Sequence, residues 1–153
     1  MNLSSEVIKI LNGRTLATAE SCTGGGIGAA LTAVPGSSAV YKGGVISYTN
    51  EVKKEILCVP EEWLEKYGAV SPWVAMEMAS GVRGLLHADV AVSVTGLAGP
   101  GGDEYGHPVG TVYIAYEDKH RNGVHHYHFE GDRESVRNQT IEAALKLILL
   151  YNQ

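Results

Sequence analysis

The stretch from Thr18 to Ala30, TAESCTGGGIGAA, sets a serine beside a cysteine, directly after a glutamate and ahead of a run of glycines. Three roles fit that pattern. Gly24, Gly26 and Ala29 satisfy G-x-G-x-x-G/A between a predicted strand and a predicted helix, the arrangement that lays a pyrophosphate on backbone amides. Alternatively, Ser21 is a nucleophile on a strand-to-helix turn. The amides from Cys22 through Thr23 and Gly24 to Gly25 then serve an oxyanion or another anion, and the glycines allow close approach. The third role is structural, with hydroxyl caps and small residues packing a helix closely onto a sheet. Pro35-Gly36 breaks the following helix within about two turns, which counts against the dinucleotide site. No Gly-Lys-Ser/Thr follows the glycines, and the G-x-S-x-G elbow is absent. Cys22 is a rival nucleophile, but neighbours at a helix start point about 100° apart, so only one of the pair faces a given pocket.

A serine hydroxyl needs a base at neutral pH. Four of the six histidines, His120, His125, His126 and His128, crowd a predicted hairpin. There His126 and His128 share one strand face, where a metal site competes with a plain solvated surface. The other base used with serine is a lysine whose pKa burial has lowered. The segment SYTNEVKKE offers Lys53 on the first turn of a helix and Tyr48 at the end of the preceding strand, so both reach one edge of the sheet. The alternative for Lys53 and Lys54 is a solvated helix face. Y-x-x-x-K is not matched, because Val52 stands where the lysine belongs. In GDRESVRNQ, Arg133 and Arg137 are four apart and share a helix face, where they would grip a phosphate or carboxylate; an ion pair with Asp132 or Glu134 is the alternative.

The elements that must position these residues follow from periodicity. Residues 3 to 12 form a helix ending at Gly13, TLATAE a short strand, and GIGAALTAV a helix stopped by PGSS. VYKGGVISYT contains a strand, Asn50 caps a short helix EVKKEIL, and PEEWLEKY is another helix between Pro60 and Gly68. Ser71 caps a longer helix opened by Pro72. DVAVSVTG is a buried strand, and TVYIAYED and GVHHYHFE form a hairpin turning at Asn122-Gly123. A final helix follows Asp132. The expected architecture is α/β: three layers, α/β/α, with a mixed, mostly parallel sheet and an antiparallel C-terminal hairpin. One domain over residues 1–153 accommodates it, and the glycine-rich loop at 97 to 110 exceeds the usual connection length, as functional loops do.

Charge and composition narrow the partners. The formal charge of −5 and the lack of a Lys/Arg cluster argue against nucleic acid. No apolar run suits a membrane span or a secretory leader, and Cys22 and Cys58 form no disulfide framework, so a cytoplasmic, reduced protein is expected.

Several segments together, TAESCTGG, VPGSSAVYKGGVISYTNEVK, GAVS, VTGLAGPGG, PVGTVYIA and GDRESVRNQ, resemble the C-terminal domain of competence/damage-inducible protein CinA and its stand-alone relatives. The resemblance runs from about Thr15 to the end of the chain. It implies an amidase that hydrolyses the carboxamide of nicotinamide mononucleotide to nicotinate mononucleotide and ammonia, in pyridine-nucleotide salvage. It also implies an α/β/α fold, a homodimer or higher homo-oligomer, and no metal or cofactor. By position it carries the nucleophile onto Ser21, the tyrosine and lysine onto Tyr48 and Lys53, and an arginine onto Arg133. Substrate contacts fall on the turn after Ser21, on Thr95, Gly96 and Gly99, and on Arg137. One departure is His107, where relatives often carry lysine before PVGT. Two-domain members also carry an N-terminal domain linked to pyrophosphatase activity on ADP-ribose, for which this sequence leaves no room. A nucleotide-binding domain that keeps the pocket without chemistry is the alternative from another class.

Overall fold

The computed structural model describes residues 2–153. Helix α1 (Leu3–Ile10) leads to strand β1 (Leu16–Glu20), then α2 (Gly26–Thr32), a single 3-10 turn (Ser37–Ala39) and β2 (Tyr41–Ile46). Next come α3 (Asn50–Glu55), α4 (Glu61–Tyr67) and α5 (Pro72–Leu86). Strands β3 (Val90–Gly96), β4 (Thr111–Asp118) and β5 (Asn122–His128) then precede α6 (Arg133–Tyr151). None of the described helices is long and apolar enough to cross a membrane.

The five strands form one sheet in the order β2-β1-β3-β4-β5. Strand β1 runs parallel to both β2 and β3, whereas β4 is antiparallel to β3 and to β5. Four strands therefore point one way and only β4 opposes them. Helices α1, α2 and α6 cover one face and α5 the other, which gives the three layers.

Coverage on both faces explains the nearly continuous apolar character of VAVSVTG. Val90, Val92 and Val94 join the core beneath α1, α2 and α6, and Ala91 joins the core under α5. Ser93 and Thr95 share Ala91's face and are buried there. Their hydroxyls donate to the carbonyls of Ala75 (2.6 Å) and Ala69 (2.8 Å), so neither polar group is stranded. In β1, Leu16 belongs to the α2/α6 side, whereas Ala17 and Ala19 belong to the α5 side. Alternation along the strand then sends Glu20 and Ser21 to opposite faces.

Two boundaries differ from expectation. Thr49, not Asn50, caps α3: its Oγ1 accepts from the amide of Val52 at 3.3 Å, and Asn50 is already helical. The hairpin turns at Lys119–Arg121 rather than at Asn122-Gly123, which pair with Glu117 and Tyr116 in the ladder. Asp118 wins this competition because its Oδ1 accepts the amides of both His120 and Arg121 at 2.8 Å, a local Asx-type turn. At Gly81, a Cβ would strike the carbonyl of Leu57. That glycine lets α5 press against the α3–α4 connection and so fixes where α3 stands.

Candidate active site

The turn between β1 and α2 is held by its own glutamate. Helix α2 has Gly25 at its N-cap position and therefore no side-chain cap from that residue. Glu20 supplies one from inside. Its buried carboxylate accepts from Thr23 Oγ1 (2.7 Å) and the Ile27 amide (2.8 Å) through Oε1, and from the Gly28 amide (3.0 Å) through Oε2. The place where a nucleotide phosphate would sit is thus taken by an anion of the chain itself, which removes the dinucleotide reading of the glycines. Gly24 and Gly25 adopt φ of +58° and +98°, so the chain turns sharply here as L side chains rarely allow. The amide of Gly24 donates to the carbonyl of Ser21 (3.1 Å), whereas those of Cys22, Thr23 and Gly25 have no acceptor among the described residues.

On the opposite face of β1 lies the serine–lysine pair. Lys53 Nζ is 3.0 Å from Ser21 Oγ, and also donates to the main-chain carbonyls of Ser47 (2.6 Å) and Tyr48 (3.4 Å). The pair meets because β1 and β2 are parallel neighbours ending side by side, and α3 starts four residues beyond β2. Lys53 is 1% exposed, and burial without a carboxylate partner lowers its pKa from 10.5 to about 8. A neutral amine has two N–H groups and one lone pair. With two carbonyls accepting, the lone pair is left for the Ser21 hydroxyl, the orientation of a base about to take a proton. Its neighbour Lys54 follows the solvated alternative and pairs with Glu61 at 3.2 Å.

Cys22 is the weaker nucleophile. Burial is the main cause that pushes its thiol up to about 11, so it stays protonated at neutral pH.

A cavity of about 690 Å³ opens over the pair. Its walls include Ser21, Cys22, Tyr48, Lys53, Thr95, Gly96, Gly99 and Arg133, together with Asn50, Asp103 and Glu104. Thr23, Gly24, Gly25 and Arg137 are not among them. Arg133 donates to the carbonyl of Gly99 (2.7 Å) and to the hydroxyl of Tyr48 (3.1 Å). The Tyr48 phenol thus engages the arginine, and the part of Tyr48 facing Lys53 is its carbonyl. Arg137 sits one helical turn further on and grips the nucleophile turn, donating to the carbonyls of Cys22 (3.0 Å) and Thr23 (3.2 Å). The two arginines share a helix but not a target, and neither forms an ion pair with Asp132 or Glu134 among the described residues.

The loop from 97 to 110 is anchored. Asp103 accepts the amides of Tyr105 and His107 and pairs with His107 Nδ1 at 2.6 Å, while the Tyr105 hydroxyl donates to the carbonyl of Glu65 at 2.7 Å. His107, the departure noted in the sequence, therefore stiffens the loop from within. In the hairpin, His126 stacks on Tyr113 with ring centroids 4.8 Å apart, and His128 Nε2 donates to the Val109 carbonyl at 3.1 Å. Among the described residues no group of three or more His, Cys, Asp or Glu side chains is placed to hold a metal ion. Glu20, Asn50 and the carbonyls of Ser47 and Tyr48 belong to the site although no motif points to them. Glu20 alone left a signal, since α2 lacks a local cap and the nearest carboxylate precedes it on the side-chain parity of the helix.

Comparison with known proteins adds to this geometry. A family model described as the CinA C-terminal domain matches residues 2–151. A CinA-like protein of Desulfotalea psychrophila is 49% identical over 142 residues, which is 93% of this chain and 34% of that protein. A putative competence-damage inducible protein of Halothermothrix orenii is 48% identical over 153 residues, 98% of this chain and 37% of that protein. The chain thus spans about a third of the length of these curated relatives. The crystal structure of a competence-damaged protein (CinA) superfamily protein from Enterobacter cloacae superposes with a TM-score of 0.96 at 32% identity, over 99% of this chain and 90% of that one. One from Escherichia coli gives 0.94 at 41% identity, over 97% and 87%.

Proposed function

This chain belongs to the CinA C-terminal domain family, and from that premise we propose that it is a serine amidohydrolase acting on nicotinamide mononucleotide. The observation that carries the proposal is the buried Lys53 amine 3.0 Å from Ser21 Oγ, with its pKa lowered to about 8. In the reaction, the Ser21 oxygen bonds to the carboxamide carbon as its proton passes to the Lys53 lone pair. The carbonyl oxygen becomes an oxyanion facing the unpaired amides of the Cys22–Thr23 turn, and each such donor supplies roughly 10²- to 10³-fold in rate. Lys53 passes its proton to the leaving nitrogen, the C–N bond breaks, and ammonia departs. Water then attacks the acyl-serine with Lys53 again taking the proton, releasing nicotinate mononucleotide and restoring Ser21.

Arg133 suits the 5′-phosphate. Its guanidinium has five donors, of which Gly99 and Tyr48 engage two, and it lines the cavity. Tyr48 then acts through its two ends, the carbonyl holding Lys53 and the phenol holding Arg133. The purified protein is expected to release ammonia from nicotinamide mononucleotide, and Ser21→Ala to lower turnover by about 10⁴-fold or more with a normal thermal melt. Binding of the nucleotide without ammonia release would overturn the proposal in favour of a sensor.

A further inference from the structure

Arg137 is the conspicuous charge that this mechanism leaves unused. It lies outside the cavity, yet its side chain crosses from α6 to the nucleophile turn and places Nε 3.0 Å from the Cys22 carbonyl and Nη2 3.2 Å from the Thr23 carbonyl. Nη2 also stands 3.3 Å from where a Cβ on Gly24 would be, so the guanidinium lies directly against the turn.

We propose that Arg137 is a positioning residue that orients the oxyanion donor beside Ser21 from behind; the inference rests on the reading of Ser21 as the nucleophile. Arg137 comes from the α6 side and fixes the carbonyl of Cys22, the residue that follows the nucleophile. Three amides of this turn, those of Cys22, Thr23 and Gly25, have no acceptor among the described residues. Of these three residues Cys22 lines the cavity, whereas Thr23 is fully buried. With its carbonyl end held by Arg137, Cys22 keeps its N–H as the donor open to the substrate oxygen, beside the Ser21–Lys53 pair.

Arg137 suits this task because its planar fork of N–H groups fixes the two consecutive carbonyls in one geometry. Its effect belongs to the step in which negative charge builds on the substrate oxygen, and therefore to turnover rather than to ground-state binding.

The test compares Arg137→Met, Arg137→Lys and Lys146→Met in two assays. One is ammonia release from nicotinamide mononucleotide; the other is the rate at which an alkyl fluorophosphonate labels Ser21, read by intact mass. The probe carries no nucleotide phosphate, so it reports the oxyanion donors alone. Arg137→Met is expected to lower kcat and the labelling rate together, each by about 10²-fold, with KM within about twofold of wild type. Arg137→Lys should recover part of both rates, and Lys146→Met, an exposed change on the same helix, should label at the wild-type rate. A merely structural brace would lower the melting temperature without this split. Labelling by Arg137→Met within about twofold of wild type, or a loss confined to KM, overturns the inference. If Arg137→Met does not fold, Arg137→Lys carries the same comparison, and wild-type labelling by that variant is equally decisive against it. Wild-type protein that labels at Ser21 but releases no ammonia removes the substrate assignment and leaves Arg137's role standing.

Discussion

Replacing Lys53 by methionine, which keeps the apolar stem and removes the amine, separates two consequences of one buried group. In the folded protein this amine titrates at about 8 instead of 10.5 because burial disfavours its charged form. Between those values the unfolded chain binds more protons than the folded one, so the stability contributed by this group rises with pH from about 8 to about 10.5. The gap corresponds to a folding penalty of about 3 kcal/mol at pH 7, falling to about 1 kcal/mol at pH 10. Lys53→Met has no such penalty. It does strand the carbonyls of Ser47 and Tyr48, a cost independent of pH. The difference in unfolding free energy, wild type minus variant, should therefore climb by roughly 2 kcal/mol between pH 7 and 10 on top of a constant offset. Urea unfolding followed by circular dichroism at pH steps measures it, and the other titrating groups cancel in the subtraction. The same protonation must appear in catalysis: kcat/KM of the wild type rises about tenfold per pH unit below about 8 and then levels. A difference that stays flat from pH 7 to 10 refutes the reasoning, because Lys53 would then be ordinarily charged in the folded state.

Three further outcomes follow from the same geometry. Glu20→Ala leaves the Thr23 hydroxyl, the buried Ile27 amide and the half-buried Gly28 amide without their acceptor, and should lower unfolding free energy by about 3 kcal/mol or more, read from the urea midpoint. Iodoacetamide at pH 7.5 (about neutral for this purpose) should modify exposed Cys58 while buried Cys22, with its thiol raised to about 11, stays intact and activity persists, as peptide mass mapping will show. Arg133→Met should raise KM for nicotinamide mononucleotide by about 10-fold or more, with a smaller change in kcat, in steady-state ammonia release.

The serine–lysine pair was legible because two strong local signals, a strand ending at Glu20 and another ending at Ile46, become spatial neighbours once the strands run parallel. Neither residue needs a long-range accident to meet the other. The arginines show where sequence spacing runs out. Positions 133 and 137 do share a helix face, but long side chains one turn apart reach different neighbours, and the identity of those neighbours is set by how α6 crosses the sheet. The hairpin failed for a different reason. Asn-Gly is a strong turn signal, yet Asp118, four residues earlier, closes a turn of its own, and Gly123 serves instead to admit the hydroxyl of Tyr151, which a Cβ would strike. Glu20 left only the indirect signal of an uncapped α2, because a carboxylate is read as exposed unless its donors are known.

The hydrogen-bond donors among the side chains that build this site share one habit: they bind main-chain carbonyls. Lys53 holds those of Ser47 and Tyr48, Arg133 that of Gly99, Arg137 those of Cys22 and Thr23, and Tyr105 that of Glu65. Every amino acid carries such a carbonyl, so the partners' side chains bring nothing to these particular bonds. Mutation is then asymmetric. Position 65 can drift through many residue types without loosening the tie it receives, whereas Lys53, Arg133, Arg137 and Tyr105 have few replacements that reach as far with a donor at the tip. Variation among descendants of this chain should accumulate on the accepting side of each contact and stall on the donating side.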